Sequence, residues 1–340
     1  MNKATVSQWE RLYKITLDIK ELQPWARLKS TDLIALENLM IDETYYFNFM
    51  GKDRSSYCIG CFIGQKGLEG FNQIRYSVND MQKELIYEQY SMVAYFGAQA
   101  DITHEDAALI RDLKLFFMEN GDWLYFRSFE PGYVPWPLNC EEVLLLTDLF
   151  RELYSALKDL VKGDLTIDFT NQMLLRRFDS EKSERVSETV PVPEIRKEYE
   201  SVQITDELML ARIMKRPLVD AKLEFDVFNI MIPIGDEKHK KPFYPIMALL
   251  ADASTGLLVE FEVFTPEDSE IEHVIAILYG FIIKHGRPLI IYLQDARLKA
   301  ILDSLCRRTA IPLEMVNFLP AINAFKLEKG ISESVDAGEE

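Results

Sequence analysis

The chain has 340 residues, with 38 Lys and Arg against 55 Asp and Glu, and a formal charge of −17. Its 48% hydrophobic and 27% charged residues describe a globular protein and exclude a disordered one, and the length suits about two domains. The negative balance argues against nucleic acid as a partner unless a local basic patch overrides the overall field.

Val6, Trp9, Tyr13 and Leu17 recur at helical spacing, with Leu12 beside them, and predict a helix from Val6 to Ile19 that Pro24 ends at the latest. Three β-rich runs follow, Leu33–Leu36, Thr44–Met50 and Tyr57–Ile63, separated by polar or glycine-containing breaks, as in an antiparallel meander. Leu68 to Val78 reads as a helix and Tyr90 to Phe96 as a strand. Thr103, followed by His104, Glu105 and Asp106, offers an N-cap with acids in the first turn, so a helix is expected to about Leu113. Trp123–Phe129 is strand-like, and Asn139 can cap a long helix from Glu141 to Val161 whose face carries Val143, Leu146, Phe150, Leu153 and Leu157.

Phe178 to Tyr199 is charged, contains two prolines and lacks an apolar face, which reads as a linker or a lone extended strand. A short helix is expected from Ile204 to Lys215. Beyond it the rhythm is α/β: strands at Leu223–Ile232, Ile246–Ala251 and Leu257–Phe264, a helix at Ser269–His285 stopped by Gly286, an apolar strand at Pro288–Leu293, a helix at Ala296–Thr309 and a short strand at Leu313–Val316. The tail 331–340 has no packing pattern and is expected to be disordered. The domain expectation is therefore an α+β N-terminal module with an antiparallel sheet (1–171), a linker with a short helix (172–219) and an α/β C-terminal module (220–330).

The C-terminal order of strand, strand, strand, helix, strand, helix resembles the RNase H-like fold of integrases and transposases. It is carried by Leu223 to Phe228, by the run from Met247 through Asp252-Ala-Ser-Thr-Gly256 to Phe261, and by Gly286 to Asp295. The resemblance implies a catalytic Asp on the first strand, matched by Asp226, and a second at the end of the later strand, matched by Asp295. Asp252 matches a hairpin acid that is usually structural. The whole chain also resembles a family of uncharacterised bacterial two-module proteins, through Pro24-Trp25, Thr44 to Gly51, the glycines from Gly60 to Gly70, and Phe126 to Trp136. That second resemblance implies the two-module layout and no chemistry.

Two-metal phosphoryl transfer needs three or four carboxylates around cations about 4 Å apart. Asp226 and Asp295 would be joined by Glu328, 33 residues past Asp295, to hold Mg²⁺ or Mn²⁺. Against that set, Glu328 sits near the chain end, and Arg297 puts a cation beside Asp295. Asp252 to Gly256 has good tight-turn chemistry of its own. Cys58 and Cys61 form a C-x-x-C, but residues three apart on a strand face opposite ways, and Cys140 and Cys306 add no second pair. Buried strand cysteines are the more economical reading. Gly60, Gly64, Gly67 and Gly70 match no phosphate-loop pattern and suit close strand-to-helix packing.

Glu130-Pro-Gly-Tyr-Val-Pro-Trp-Pro137 is a stiff extended stretch whose Tyr133 and Trp136 either pack on the core or form a recognition surface for a protein or peptide. Lys238-His-Lys-Lys241 is the densest basic run, but Ser201 to Gly330 holds 15 basic and 18 acidic residues and makes no basic platform. The N-terminus lacks the apolar run of a secretory signal, Val274–Ile283 is too short to span a bilayer, and four cysteines make no disulfide framework, so a cytoplasmic location is expected. The leading functional expectation is a non-catalytic binding or regulatory protein without cofactor. The alternative is a metal-dependent nuclease or phosphoryl-transfer enzyme using Asp226 and Asp295.

Overall fold

A computed structural model describes residues 3–38, 42–51, 57–76, 88–118, 122–162, 167–180, 182–194, 199, 201–235 and 241–331. The chain divides into two compact units, Met1–Pro131 with Pro135–Ile195, and Gly132–Val134 with Arg196–Glu340.

The first unit opens with α1 (Val6–Glu21), fixed at its start by a reciprocal cap. The Thr5 hydroxyl accepts from the Gln8 amide at 3.3 Å while the Gln8 side chain accepts from the Thr5 amide at 2.7 Å. Leu12, Tyr13, Thr16 and Ile19 form its buried stripe, so the packed face begins one turn later than the apolar spacing suggests. Strands β1 (Ile34–Asn38), β2 (Glu43–Met50), β3 (Tyr57–Ile63), β4 (Ser91–Gly97) and β5 (Trp123–Phe129) are consecutive antiparallel neighbours. Helices α2 (Gly64–Tyr76) and α3 (His104–Asp112) are inserted after β3 and β4. The expected caps are present: the Thr103 hydroxyl accepts from the Asp106 amide, and Asn139 accepts from the Glu141 and Glu142 amides at the start of α4 (Cys140–Lys162).

Helices α1 and α4 pack together on one face of this sheet, over Phe47, Phe49, Ile59, Ala94 and Leu124. Burying each such large side chain contributes about 1.5–3 kcal/mol. On the opposite face α2 lays Leu68 and Phe71 on Tyr46 and Phe62. Gly67 permits that approach, since a Cβ there would stand 2.7 Å from both the Phe62 carbonyl carbon and the Tyr90 carbonyl oxygen.

Two expectations are corrected here. Part of the segment read as a linker is the hairpin β6 (Gln172–Asp179) and β7 (Glu184–Pro191), which completes a seven-stranded sheet in the order β5-β4-β3-β2-β1-β6-β7. The boundary between units accordingly falls after Ile195 rather than after 171. The charges that masked the hairpin are its own connections: Arg177 meets Glu188 across the strands at 2.6 Å, and Arg176 and Arg185 reach Glu152 on α4 at 3.2 and 3.3 Å. A polar outer strand ending in Pro191 is what protects a sheet edge. The sheet is also not wholly antiparallel, because β6 runs parallel to β1. The chain reaches that position through the α4 crossover, which a parallel pair requires.

The second unit begins with α5 (Glu207–Met214), capped by Asp206. Strands β8 (Leu218–Asn229), β9 (Ile246–Asp252) and β10 (Leu258–Phe264) form an antiparallel meander. Helix α6 (Glu270–His285), strand β11 (Arg287–Leu293), helix α7 (Ala296–Arg308), strand β12 (Leu313–Met315) and helix α8 (Pro320–Glu328) follow. The sheet order is β10-β9-β8-β11-β12, with β11 parallel to both β8 and β12. Helices α6 and α7 cover one face over Leu223, Phe225, Ala248 and Leu250, and α8 covers part of the other over Met247, Leu249 and Ala251. No helix was expected over α8, only that Glu328 sits near the chain end, although Pro320 stands at the first helical position. The run 238–240 and the tail 332–340 lie outside the described residues. Among the described residues no helix is long and apolar enough to cross a membrane.

Candidate functional site

Strand β8 carries the acids of interest, and its alternation decides their surroundings. Leu223, Phe225 and Val227 enter the core beneath α6 and α7. Glu224 and Asp226 therefore share the opposite face, where α8 lies. Both are buried, Glu224 to 1% exposure and Asp226 to 7%.

Helix α8 meets this pair in step. Two strand residues advance about 6.7 Å and four helical residues about 6 Å, so a strand pair i, i+2 can face a helix pair i, i+4. Glu224 faces Ile322 in the first turn of α8, whose amide donates to its Oε2 at 3.0 Å. That amide has no partner inside the helix, and the positive helix end suits a carboxylate. One turn on, Lys326 donates from Nζ to Asp226 Oδ2 at 2.6 Å and stands 4.2 Å above the Phe228 ring. The second Asp226 oxygen accepts from the Val227 amide at 2.9 Å.

Asp295 lies two residues past β11, the parallel neighbour of β8, and caps α7. Its Oδ1 accepts from the Arg297 amide at 2.7 Å, and its Oδ2 stands 3.4 Å from the Arg297 guanidinium. Arg297 also donates to Glu270 at 2.8 Å. Burial pushes the Glu270 carboxyl above its ordinary value, with Arg297 opposing and Asp295 reinforcing the shift. Glu328 is exposed at the last turn of α8 and pairs with Lys329 at 2.9 Å.

Among the described residues Asp226, Asp295 and Glu328 are not brought together as one donor group. Each carboxylate already has a cationic partner of its own, and among the described residues no three His, Cys, Asp or Glu side chains form a group that could hold a metal. Sequence reading missed Lys326, because a lysine in a segment taken for a chain end carries no signal until the helix exists. Glu224 was legible only as a neighbouring acid.

Other candidates are placed as follows. Asp252 Oδ1 accepts from the Ser254 and Thr255 amides at 2.9 and 2.7 Å, and Gly256 takes φ +73°, which is the expected turn. Cys61 is buried among the residues beneath α1 and α4, and burial pushes its thiol well above the ordinary value. Tyr133 and Trp136 are both half-buried and fall in different units. Within the second unit Tyr133 bridges to Phe243, donates its hydroxyl to Glu267 at 3.4 Å and lies under Lys241. Within the first, Trp136 pairs with Ser128 through two backbone hydrogen bonds, at 2.7 and 3.0 Å. A feature sequence reading did not find is Asp106, held by both terminal nitrogens of Arg127 at 3.0 and 2.6 Å.

Two family models match the chain. Residues 9–177 match one described as "Domain of unknown function (DUF7309)". Residues 209–328 match another described as "Domain of unknown function (DUF6930)". The pair supports an uncharacterised two-module protein family. No curated protein matches the chain.

Proposed function

We propose that the protein is a non-catalytic binding or regulatory protein whose second unit is an RNase H-like module with its acidic position closed. The supporting observation is the Lys326–Asp226 ion pair beneath α8: a side-chain cation of the protein occupies the carboxylate that metal-dependent phosphoryl transfer would need. The RNase H-like reading rests on the central position of β8, the β9–β10 hairpin beside it and the adjacency of β8 to β11. The partner in this reading is a protein or peptide rather than nucleic acid or membrane, in keeping with the charge of −17. In this reading Tyr133 in the second unit and Trp136 in the first are each candidate contact residues, both half-buried. A cytoplasmic location accords with buried Cys61 and Cys306 remaining thiols.

Thermal melting with and without millimolar Mn²⁺ tests the reading, since any ligand of the native state raises its stability by mass action. The expected result is no rise for the wild type and no divalent-dependent cleavage of single-stranded or duplex DNA. A rise that Asp226→Asn and Asp295→Asn both abolish, or cleavage lost in both variants, overturns it in favour of a nuclease.

A further inference from the structure

Strand β10 is the outermost strand of its sheet, and no described strand pairs with its outer edge. Its outer positions are apolar on one face: Phe261 is 62% exposed, Val263 46% and Leu258 40%. Their neighbours across the ladder, Leu249, Met247 and Ala251, are buried under α8, so the apolar surface runs from a packed cluster out to an open edge. The other face carries Glu260 and Glu262, each with one partner, Lys284 and His273. Leu257 to Phe264 contains no lysine or proline, and the one register break in its ladder, between Leu258 and Glu260, leaves Glu260 to Phe264 regularly paired.

A second copy is a poor occupant. A two-fold pairing of β10 with itself centred on Glu260, Phe261 or Glu262 sets glutamate directly opposite glutamate in every case. Each copy also brings a charge of −17. The complementary occupant is an extended segment that alternates basic and apolar residues, placing its cations opposite Glu260 and Glu262 and its apolar side chains beside Phe261 and Val263. We propose that the β10 edge is a strand-addition site for such a segment of a partner protein. This deepens the binding reading and rests on it: backbone ladder bonds supply affinity, and the two faces of the strand supply specificity.

The test is fluorescence anisotropy on the full chain with a labelled heptapeptide Lys-Val-Lys-Phe-Lys-Val-Lys. A Glu-for-Lys peptide and a peptide of unchanged charge with proline in place of the central residue serve as controls. Saturable binding of the basic peptide alone is expected, weakened at least tenfold by Phe261→Ser and by Val263→Thr, two exposed and charge-neutral changes whose melting curves verify folding. Absence of saturable binding, equal binding of the proline peptide, or binding unaffected by both variants overturns the site. A concentration-dependent dimer in sedimentation velocity that Phe261→Ser abolishes overturns it in favour of a second copy. These outcomes stand apart from the manganese test: loss of peptide binding removes the β10 site whatever the metal does, and a manganese response removes the non-catalytic reading whatever the peptide does.

Discussion

Asp226 is buried and Lys326 half-buried in contact with it, so removing either charge alone strands the other in a mostly dry site. Breaking a buried pair from one side typically costs about 3–5 kcal/mol, whereas replacing both partners by uncharged groups is far cheaper. Lys326→Met is therefore expected to lower unfolding free energy by about 3 kcal/mol in urea titrations, and Asp226→Asn with Lys326→Met to recover more than half of that loss. A double variant as unstable as the single one would show that the pair matters for packing rather than charge. Asp106 gives a second residue-scale prediction. Burial alone would raise its carboxyl, but hydrogen bonds from Arg127 and Thr103 outweigh burial and hold it below the ordinary value. The folded protein then binds this proton less readily than the unfolded chain. The contribution is complete above the unfolded value of about 4 and is lost as pH falls through the lower folded value. Melting temperature should accordingly fall more steeply with acid below about pH 4 for wild type than for Asp106→Asn.

At the scale of elements, the join between α6 and β11 is the tightest the second unit contains, because one residue, Gly286, separates helix from strand. Gly286 adopts φ +119°, and a Cβ there would come within 2.7 Å of Val219 and 2.8 Å of the Pro217 carbonyl. Gly286→Ala should cost about 2–4 kcal/mol, the sum of a glycine-only backbone conformation and a close contact, read as a lower urea midpoint. That stop was legible in the sequence because a glycine after an apolar helical run has one common meaning. The same holds for Asn139, Thr103 and the Asp252 turn, whose chemistry is local. The β6–β7 hairpin and α8 were not legible, for a shared reason. Arg176, Arg177, Arg185 and Lys326 look like solvated charges until their partners Glu152, Glu188 and Asp226, 11 to 100 residues away in sequence, are brought beside them. The acidic pair was half legible for the same reason: strand alternation places Glu224 and Asp226 on one face, and nothing in the sequence says which element covers that face.

For the whole molecule, the unit boundary after Ile195 changes where the chain should be vulnerable. Arg176, Arg177 and Arg185 lie in paired strands of the first unit. Limited trypsin digestion is expected to leave those three sites uncut in the first fragments, as mass spectrometry would show. Early cleavage at Arg177 or Arg185 would mean that the hairpin does not hold. The placement of Gly132–Val134 carries a further consequence. In the second unit the Val134 amide donates to the Pro242 carbonyl at 3.0 Å, and the Tyr244 amide to the Gly132 carbonyl at 2.8 Å. The chain thus passes from one unit to the other three times, and the unit that begins at Arg196 is completed by a piece encoded some sixty residues upstream. A chain begun at that boundary would therefore lack the three residues whose backbone bonds to Pro242 and Tyr244 belong to its own fold.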